Sequence, residues 1–220
     1  MSAFDELFAQ HAATAYARQL ALADLIGERD WQLDLTEGVA TFGGDLRFPI
    51  QLLGTESHVD GSWLWAWANA VSNLPPQLLH LSEWMRSYGS SSSIPELTEP
   101  SFPLDRADGA HLALIASGLT GRCYYRGPYD GGAVFFHLEN LPAEIVAPVS
   151  PERAFLVVGQ VIGAFPLDHR ITLLSFLDQQ GWSVSDNTPA LVVGTHPGGS
   201  EMRVEFDDQN RMARISGQVN

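Results

Sequence analysis

The side chains best suited to chemistry lie together in one short stretch of the chain. It contains two carboxylates, a hydroxyl and an imidazole, directly followed by three tryptophans: Glu56, Ser57, His58, Asp60, Trp63, Trp65 and Trp67. A carboxylate beside an imidazole can supply a general base or hold a small ligand. The spacing matches no metal-binding or hydrolase signature, so an ordinary polar loop between two strands is the alternative interpretation.

The tryptophans alternate with Leu64, Ala66 and Ala68. Because successive side chains of a strand point to opposite faces, this period of two predicts a strand with three indoles on one face. Since the second face is apolar too, the segment is expected to be a buried core strand. An aromatic ligand-binding face is the alternative.

A second candidate group is formed by Arg122, Tyr124 and Arg126, which share one face of a predicted strand. Two guanidinium groups around an aromatic ring can bind a carboxylate or phosphate, or they can be a solvated face that balances the acidic surplus. The predicted ligand-binding residues are therefore Glu56, His58, Asp60, Trp63, Trp65, Trp67, Arg122 and Arg126.

The sequence predicts neither a metal site nor a cofactor. Asp105, Asp108 and His111 recur every three residues, but Asp108 is expected to cap a helix, which leaves fewer than the three protein ligands of a catalytic zinc. The single cysteine, Cys123, is expected to be buried and inert. No GxSxG, HExxH, P-loop or GxGxxG motif is present, so whether the protein is an enzyme stays open.

Charge and hydropathy exclude some partners. The formal net charge is -14, from 26 acidic residues against 12 basic ones, and all the basic residues are arginines. Nucleic acid is not an expected partner, because its binding relies on clustered cationic residues. A basic protein is an expected partner. No apolar run approaches the roughly 20 residues of a membrane helix, and the N-terminus lacks a secretory pattern. Cytoplasmic location is predicted.

Two segments carry a resemblance to a known family. LGTES followed by WLWAWAN, and LIASGLTGRCYYRGPYDGG further along, are similar to an uncharacterised bacterial family classed as a domain of unknown function. The resemblance extends from about Trp31 to Trp182. It implies a bacterial cytosolic protein and transfers no functional residue.

The elements that would position these side chains form an α+β fold, with antiparallel sheets of hairpins and meanders and about five flanking helices. Ser2 is expected to cap a first helix that ends at Gly27. Residues 1–220 are predicted to form a single globular domain. The Gly89 to Ser93 run and the prolines after it predict a flexible loop over residues 89–104, which is also the expected place for any domain boundary.

The sequence thus predicts a non-enzymatic soluble binding or interaction protein of the bacterial cytosol. One specific version is an immunity-type protein whose acidic surface blocks a basic toxin. The alternative is a small-ligand-binding protein or hydrolase-like enzyme that uses the polar loop 56–60 beside the tryptophan strand.

Overall fold

The computed structural model describes residues 1–220. Its helices are α1 (Ala3–Ile26), α2 (His80–Ser92), α3 (Pro95–Thr98), α4 (Gly109–Thr120), α5 (Ala143–Val146), α6 (Pro151–Ala164) and α7 (His169–Gln179). Its strands are β1 (Trp31–Asp34), β2 (Val39–Phe42), β3 (Leu46–Ser57), β4 (Ser62–Trp65), β5 (Ser101–Pro103), β6 (Cys123–Tyr129), β7 (Gly132–Leu138), β8 (Ser183–Thr188), β9 (Leu191–Thr195), β10 (Glu201–Phe206) and β11 (Met212–Gln218). All strand pairs are antiparallel, and five of the helices are substantial. The predicted α+β class is confirmed.

The chain divides into two compact units. One is Arg18–Val146, and the other combines Met1–Ala17 with Ala147–Asn220. The division does not fall at residues 89–104, the place that the sequence indicates for any domain boundary. The single domain over 1–220 stays a prediction. No helix combines the length and the apolarity that a membrane crossing requires.

Strand β3 is the centre of a seven-stranded sheet in the unit Arg18–Val146. On one side its first half pairs with β2 and its second half with β4, while β7 pairs along its other side. The sheet order is β1-β2-β3-β4-β5, with β6 joined through β7. The β3–β7 register shifts between Leu52 and Gly54, and such a bulge bends a strand. The sheet is accordingly curled.

The two faces of this sheet bury different apolar groups. On one face, the rings of Trp63 and Phe135 lie 5.6 Å apart, and helix α4 begins against both of them. A Cβ on Gly109 would lie 2.5 Å from Phe135 and 2.9 Å from Trp63, so only glycine lets the helix approach this closely. On the other face lies a cluster from α1 and from β2, β3, β6 and β7, which includes Leu22, Ile26, Phe42, Phe48, Ile50, Leu52, Phe136 and Leu138.

The second unit contains a four-stranded meander in the order β11-β10-β9-β8. Buried residues alternate along β10 at Met202, Val204 and Phe206, the pattern of a strand with one covered face. Helices α6 and α7 begin at side-chain caps, because Ser150 accepts a hydrogen bond from the backbone of Arg153 and Asp168 accepts one from Ile171.

Helix α1 starts and stops where the sequence predicts. The Ser2 hydroxyl accepts a hydrogen bond from the Asp5 backbone N–H at 3.1 Å, and the Asp5 carboxylate accepts one from Ser2 at 2.9 Å. This reciprocal cap satisfies two donors at the helix start. Gly27 follows the helix with φ +60, a left-handed conformation that glycine adopts without steric cost.

Residues 89–104, which the sequence predicts as a flexible loop, are mostly helix and strand in the structure. Helix α2 continues through the serine run to Ser92, and α3 and β5 follow within the same segment. The Ser87, Ser90 and Ser91 hydroxyls donate to carbonyls three or four residues earlier, so they bond inside the helix instead of competing with it. Gly89 is buried where a Cβ would clash with Leu97, which fixes α2 against α3.

The tryptophan strand is shorter than the sequence predicts. Strand β4 ends at Trp65, and Ala66–Ala68 forms a 3-10 turn. Trp63 and Trp65 are fully buried and lie edge to face, with ring centroids 5.5 Å apart. Trp67 leaves the strand direction, so the prediction of three indoles on one strand face is wrong for this residue.

Candidate functional site

Glu56 is the most highly connected member of the predicted polar group. It lies near the end of β3, and its side chain is only 8% exposed. Its Oε1 accepts a hydrogen bond of 2.7 Å from the backbone N–H of Gly109 at the start of α4. Its Oε2 lies 3.5 Å from His58 Nε2 and 3.9 Å from Arg126 Nε. Glu56 therefore joins β3, α4 and β6.

His58 and Asp60 lie in the turn between β3 and β4, where both are exposed. The turn is held by a hydrogen bond from the His58 backbone to the Gly131 carbonyl and by one from the Ser62 hydroxyl to Asp60 Oδ1 at 2.7 Å. That Ser62 hydrogen bond lowers the pKa of Asp60. The structure brings His58 close to Glu56 although β3 ends at Ser57, whereas Asp60 bonds within its own turn.

Trp63 and Trp65 have no exposed surface. The Trp65 indole N–H donates to the Glu96 carbonyl at 3.0 Å, whereas the Trp63 indole nitrogen is buried without a partner. Trp67 is half-buried, with the Arg86 guanidinium 4.2 Å from its ring centroid. Trp63 and Trp65 thus belong to the packed core, and the ring face of the tryptophan strand does not open to a cavity.

The two candidate arginines pair with different acids. Arg122 lies 3.0 Å from Glu139, and Arg126 faces Glu56. Arg122 lines a groove with Trp84 and Gln51, while Arg126 lines another depression with Gln19 and Tyr125. The structure therefore gathers Glu56, His58 and Arg126, and it places Arg122 in a separate group.

This arrangement is a junction between elements. Both carboxylate oxygens of Glu56 already have protein partners, and its backbone carbonyl accepts a hydrogen bond from the Tyr129 hydroxyl at 3.2 Å. A general base must lie within hydrogen-bond reach of the substrate proton, and the Glu56 side chain is only 8% exposed. The geometry consequently favours positioning of α4 and β6 over proton transfer at Glu56.

A cavity of about 240 Å³ lies in the same unit, where the sheet curls. It is lined by Leu33, Leu35, Leu52, Gly54, Thr55, Leu64, Ala66, Asn69, Ser72, Leu74 and Val134. Leu64 and Ala66 alternate with the buried indoles, so the cavity borders the second side of the tryptophan strand. Apolar side chains predominate, and none of the lining residues is charged.

The sequence contained part of the signal for this cavity. Leu64 and Ala66 make the second side of the tryptophan strand apolar, and Leu33 and Leu35 alternate with polar residues in and just after β1. In the structure these leucines keep some exposure instead of being fully covered. The closure of β1, β4 and the 69–74 segment around one space depends on the curl of the sheet, which no local pattern encodes.

Two other titratable side chains of this unit are buried. His137 has no exposed surface, and neither ring nitrogen has a hydrogen-bond partner of normal geometry. Burial and the nearby Arg122 guanidinium lower the pKa of His137 to about 3, and a weak interaction with the Ala113 backbone opposes them. Burial raises the pKa of the Cys123 thiol to about 12, which makes the reactive thiolate scarce.

Two other histidines lie near capped helix starts. Asp108 Oδ1 accepts a hydrogen bond from the His111 backbone at 2.9 Å and also lies 2.7 Å from His111 Nδ1. His169 Nδ1 accepts a hydrogen bond from the Met212 backbone, beside the cap at Asp168. No group of three or more His, Cys, Asp or Glu side chains could hold a metal ion.

The chain is similar to a known protein family. Residues 5–141 match a family of unknown function (DUF6882), which confirms the resemblance to a domain of unknown function. The match starts and ends earlier than the span from Trp31 to Trp182 expected from the sequence, and it contains nearly all of the unit Arg18–Val146. No curated protein and no solved structure matches the chain.

Proposed function

We propose that this chain, which belongs to the family of unknown function DUF6882, is a non-enzymatic binding protein whose curled sheet holds a small, mainly apolar molecule. The observation that carries the proposal is the cavity of about 240 Å³ beside β4. The candidate residues of the 56–60 loop serve this function indirectly, because Glu56 ties α4 and β6 to the strand that forms one wall.

The size of the cavity supports a small ligand. An apolar protein cavity of about 150 Å³ can bind benzene, and pockets for drug-sized ligands occupy about 300–1,000 Å³. A cavity of about 240 Å³ lies between these sizes. It suits a ring with a short substituent or a short branched chain.

The chemistry of the wall supports binding without catalysis. Leu33, Leu52, Leu64 and Val134 supply apolar contacts, which favour burial of an apolar ligand by roughly 25 cal/mol for each Å² removed from water. Glu56, His58 and Asp60 do not line the cavity. A hydrolase-like use of these three residues has less support, because the Glu56 carboxylate is already engaged by protein groups.

A cavity-filling variant with a matched control tests the proposal. Leu64→Trp places an indole in the cavity, while Val71→Trp adds the same group at a residue that is 98% exposed in the nearby loop. Nuclear magnetic resonance titration with ethylbenzene should give saturable shifts around Val134 in the parent and in Val71→Trp. These shifts should be absent in Leu64→Trp.

Two results would count against this function. One is a parent protein that gives no saturable shifts with ethylbenzene or with other probes of one ring. The other is a response of equal strength in the parent and in Leu64→Trp, since binding would then occur outside the cavity. Unfolding curves for both variants establish that they remain folded.

Charge supports a second function, in which the protein binds a basic protein partner in the bacterial cytoplasm, as an immunity-type protein would. The formal net charge of -14 favours association with a cationic surface and weakens contact with nucleic acid. The buried free thiol of Cys123 suits a reducing compartment. Affinity capture from lysate should recover a basic protein at about 50 mM salt and lose it at about 500 mM, because salt screens attraction between opposite charges. If no basic protein is recovered at low salt, this second function is contradicted.

A further inference from the structure

The cavity wall has a polar part made only of uncharged side chains. These are Thr55, Asn69 and Ser72. Asn69 is half-buried and Ser72 is exposed, so this polar part lies on the open side of the cavity. No lining residue is charged, so a charged ligand gains no ion pair from the wall and loses hydration where the apolar side chains cover it. The polar part therefore favours a ligand that is neutral but not a pure hydrocarbon.

Asn69 is the best placed of the three to orient a ligand. Its backbone N–H donates to the Ala66 carbonyl at 3.2 Å, and its Oδ1 accepts a hydrogen bond from the Ser72 backbone at 3.2 Å. Both contacts hold the residue at the end of the 3-10 turn that follows β4. With Oδ1 engaged in this way, the side-chain amide nitrogen remains as a donor.

We propose, building on the function above, that the ligand is an uncharged molecule with one apolar ring or short chain and one hydrogen-bond acceptor, such as a ketone or ether oxygen, which Nδ2 of Asn69 binds. The apolar part of the ligand then lies among Leu33, Leu52 and Leu64. A turn-anchored amide orients the polar end at little entropic cost, because the side chain is already fixed before binding.

A matched pair of probes tests this assignment. Acetophenone and ethylbenzene have the same ring and a two-carbon substituent, but only acetophenone carries an acceptor oxygen. In the parent protein, acetophenone should bind about five- to tenfold more tightly, the effect of one hydrogen bond. Benzoate, which is similar in size but charged, should bind at least about tenfold more weakly than acetophenone.

Two variants assign the preference to Asn69. Asn69→Asp keeps an oxygen that can accept from the Ser72 backbone but removes the amide donor, and Asn69→Leu removes both at similar size. Both variants should lose the preference for acetophenone over ethylbenzene. Asn69→Leu should bind ethylbenzene within about twofold of the parent, since the apolar wall is unchanged.

The outcomes separate this inference from the function on which it rests. If neither ethylbenzene nor acetophenone binds the parent, both proposals are overturned. If the two bind equally well, or if the Asn69 variants keep the preference, the cavity function stands and the acceptor assignment fails. Benzoate binding as tight as acetophenone binding also overturns the assignment of an uncharged ligand.

Discussion

At the scale of single residues, Glu56 has the largest structural role among the candidate residues. Its one carboxylate satisfies a backbone donor at the start of α4 and faces both a histidine and an arginine. A negative charge near the N-terminus of a helix stabilises the helix. The buried position strengthens the effect, because solvent screens the contacts less.

Replacement of Glu56 should therefore affect folding before any binding property. We expect Glu56→Ala to lower the free energy of unfolding by about 2–3 kcal/mol, since it leaves the Gly109 N–H buried without an acceptor. Glu56→Gln should cost less, because the amide oxygen can still accept from Gly109. Urea unfolding at pH 7 measures both. Asp130→Asn, in the exposed turn between β6 and β7, is the control and should match the parent. Equal losses for Gln and Ala would contradict the role of Gly109.

The part of this group that the sequence could predict is local. Glu56 is near the end of β3 and His58 is two residues later, in the first position of the turn, so their proximity is a local feature of the chain. The contacts of Glu56 with Gly109 and Arg126 join residues far apart in the chain, and they depend on the sheet register. For the same reason the sequence could not show that Arg122 pairs with Glu139 and lies outside the group.

At the scale of elements, α4 shows how two acceptors share one helix start. Asp108 caps the helix through the His111 backbone, and Glu56 accepts from Gly109. Gly121 follows the helix with φ +73. Because the helix is apolar on nearly every side, its ends have to be fixed by specific polar contacts within the unit.

Loss of the Asp108 cap should destabilise the protein by about 1 kcal/mol, the usual value for an N-cap. We expect Asp108→Ala to show this loss in urea unfolding, whereas Asp108→Asn should retain most of the stability, because asparagine also caps helices. Similar losses for the two variants would indicate that the charge of Asp108 matters more than its cap. The pair Asp168→Ala and Asp168→Asn gives the same comparison at α7.

Most elements could be predicted because their ends are encoded locally. Ser2, Asp108 and Asp168 start helices, and Gly27 and Gly121 end them. The elements whose ends differ from the prediction are determined by tertiary contacts. The serine run stays helical in α2 since Gly89 packs against Leu97, and β4 ends at Trp65, where the chain turns into the wall of the cavity.

At the scale of the whole molecule, the buried His137 makes stability depend on pH. Its pKa is about 3 in the folded protein and about 6.5 in an unfolded chain. The unfolded state therefore binds a proton first as the pH falls, so stability is lost progressively from about pH 6.5 downward to about pH 3. Aspartates whose pKa is lowered by folding, such as Asp207, also contribute to stability. They lose this contribution only near and below about pH 3.9, the approximate pKa of an aspartate in an unfolded chain.

We expect the free energy of unfolding to fall by about 2 kcal/mol between pH 7 and pH 5 because of His137. Urea unfolding at the two pH values measures the difference. His137→Leu should remove most of it, since leucine does not titrate, and His80→Leu, an exposed change on α2, should keep it. The same pH dependence in parent and His137→Leu would show that other groups cause it.

The buried thiol has a practical consequence at this same scale. Cys123 is the sole cysteine, and it lies in the unit Arg18–Val146 with five of the six tryptophans, while Ala147–Asn220 contains only Trp182. A thiol-specific dye added to the native protein can react only when that unit opens. Labelling rates thus give a reporter for one half of the molecule, and proteolysis within the C-terminal meander gives an independent reporter for the other.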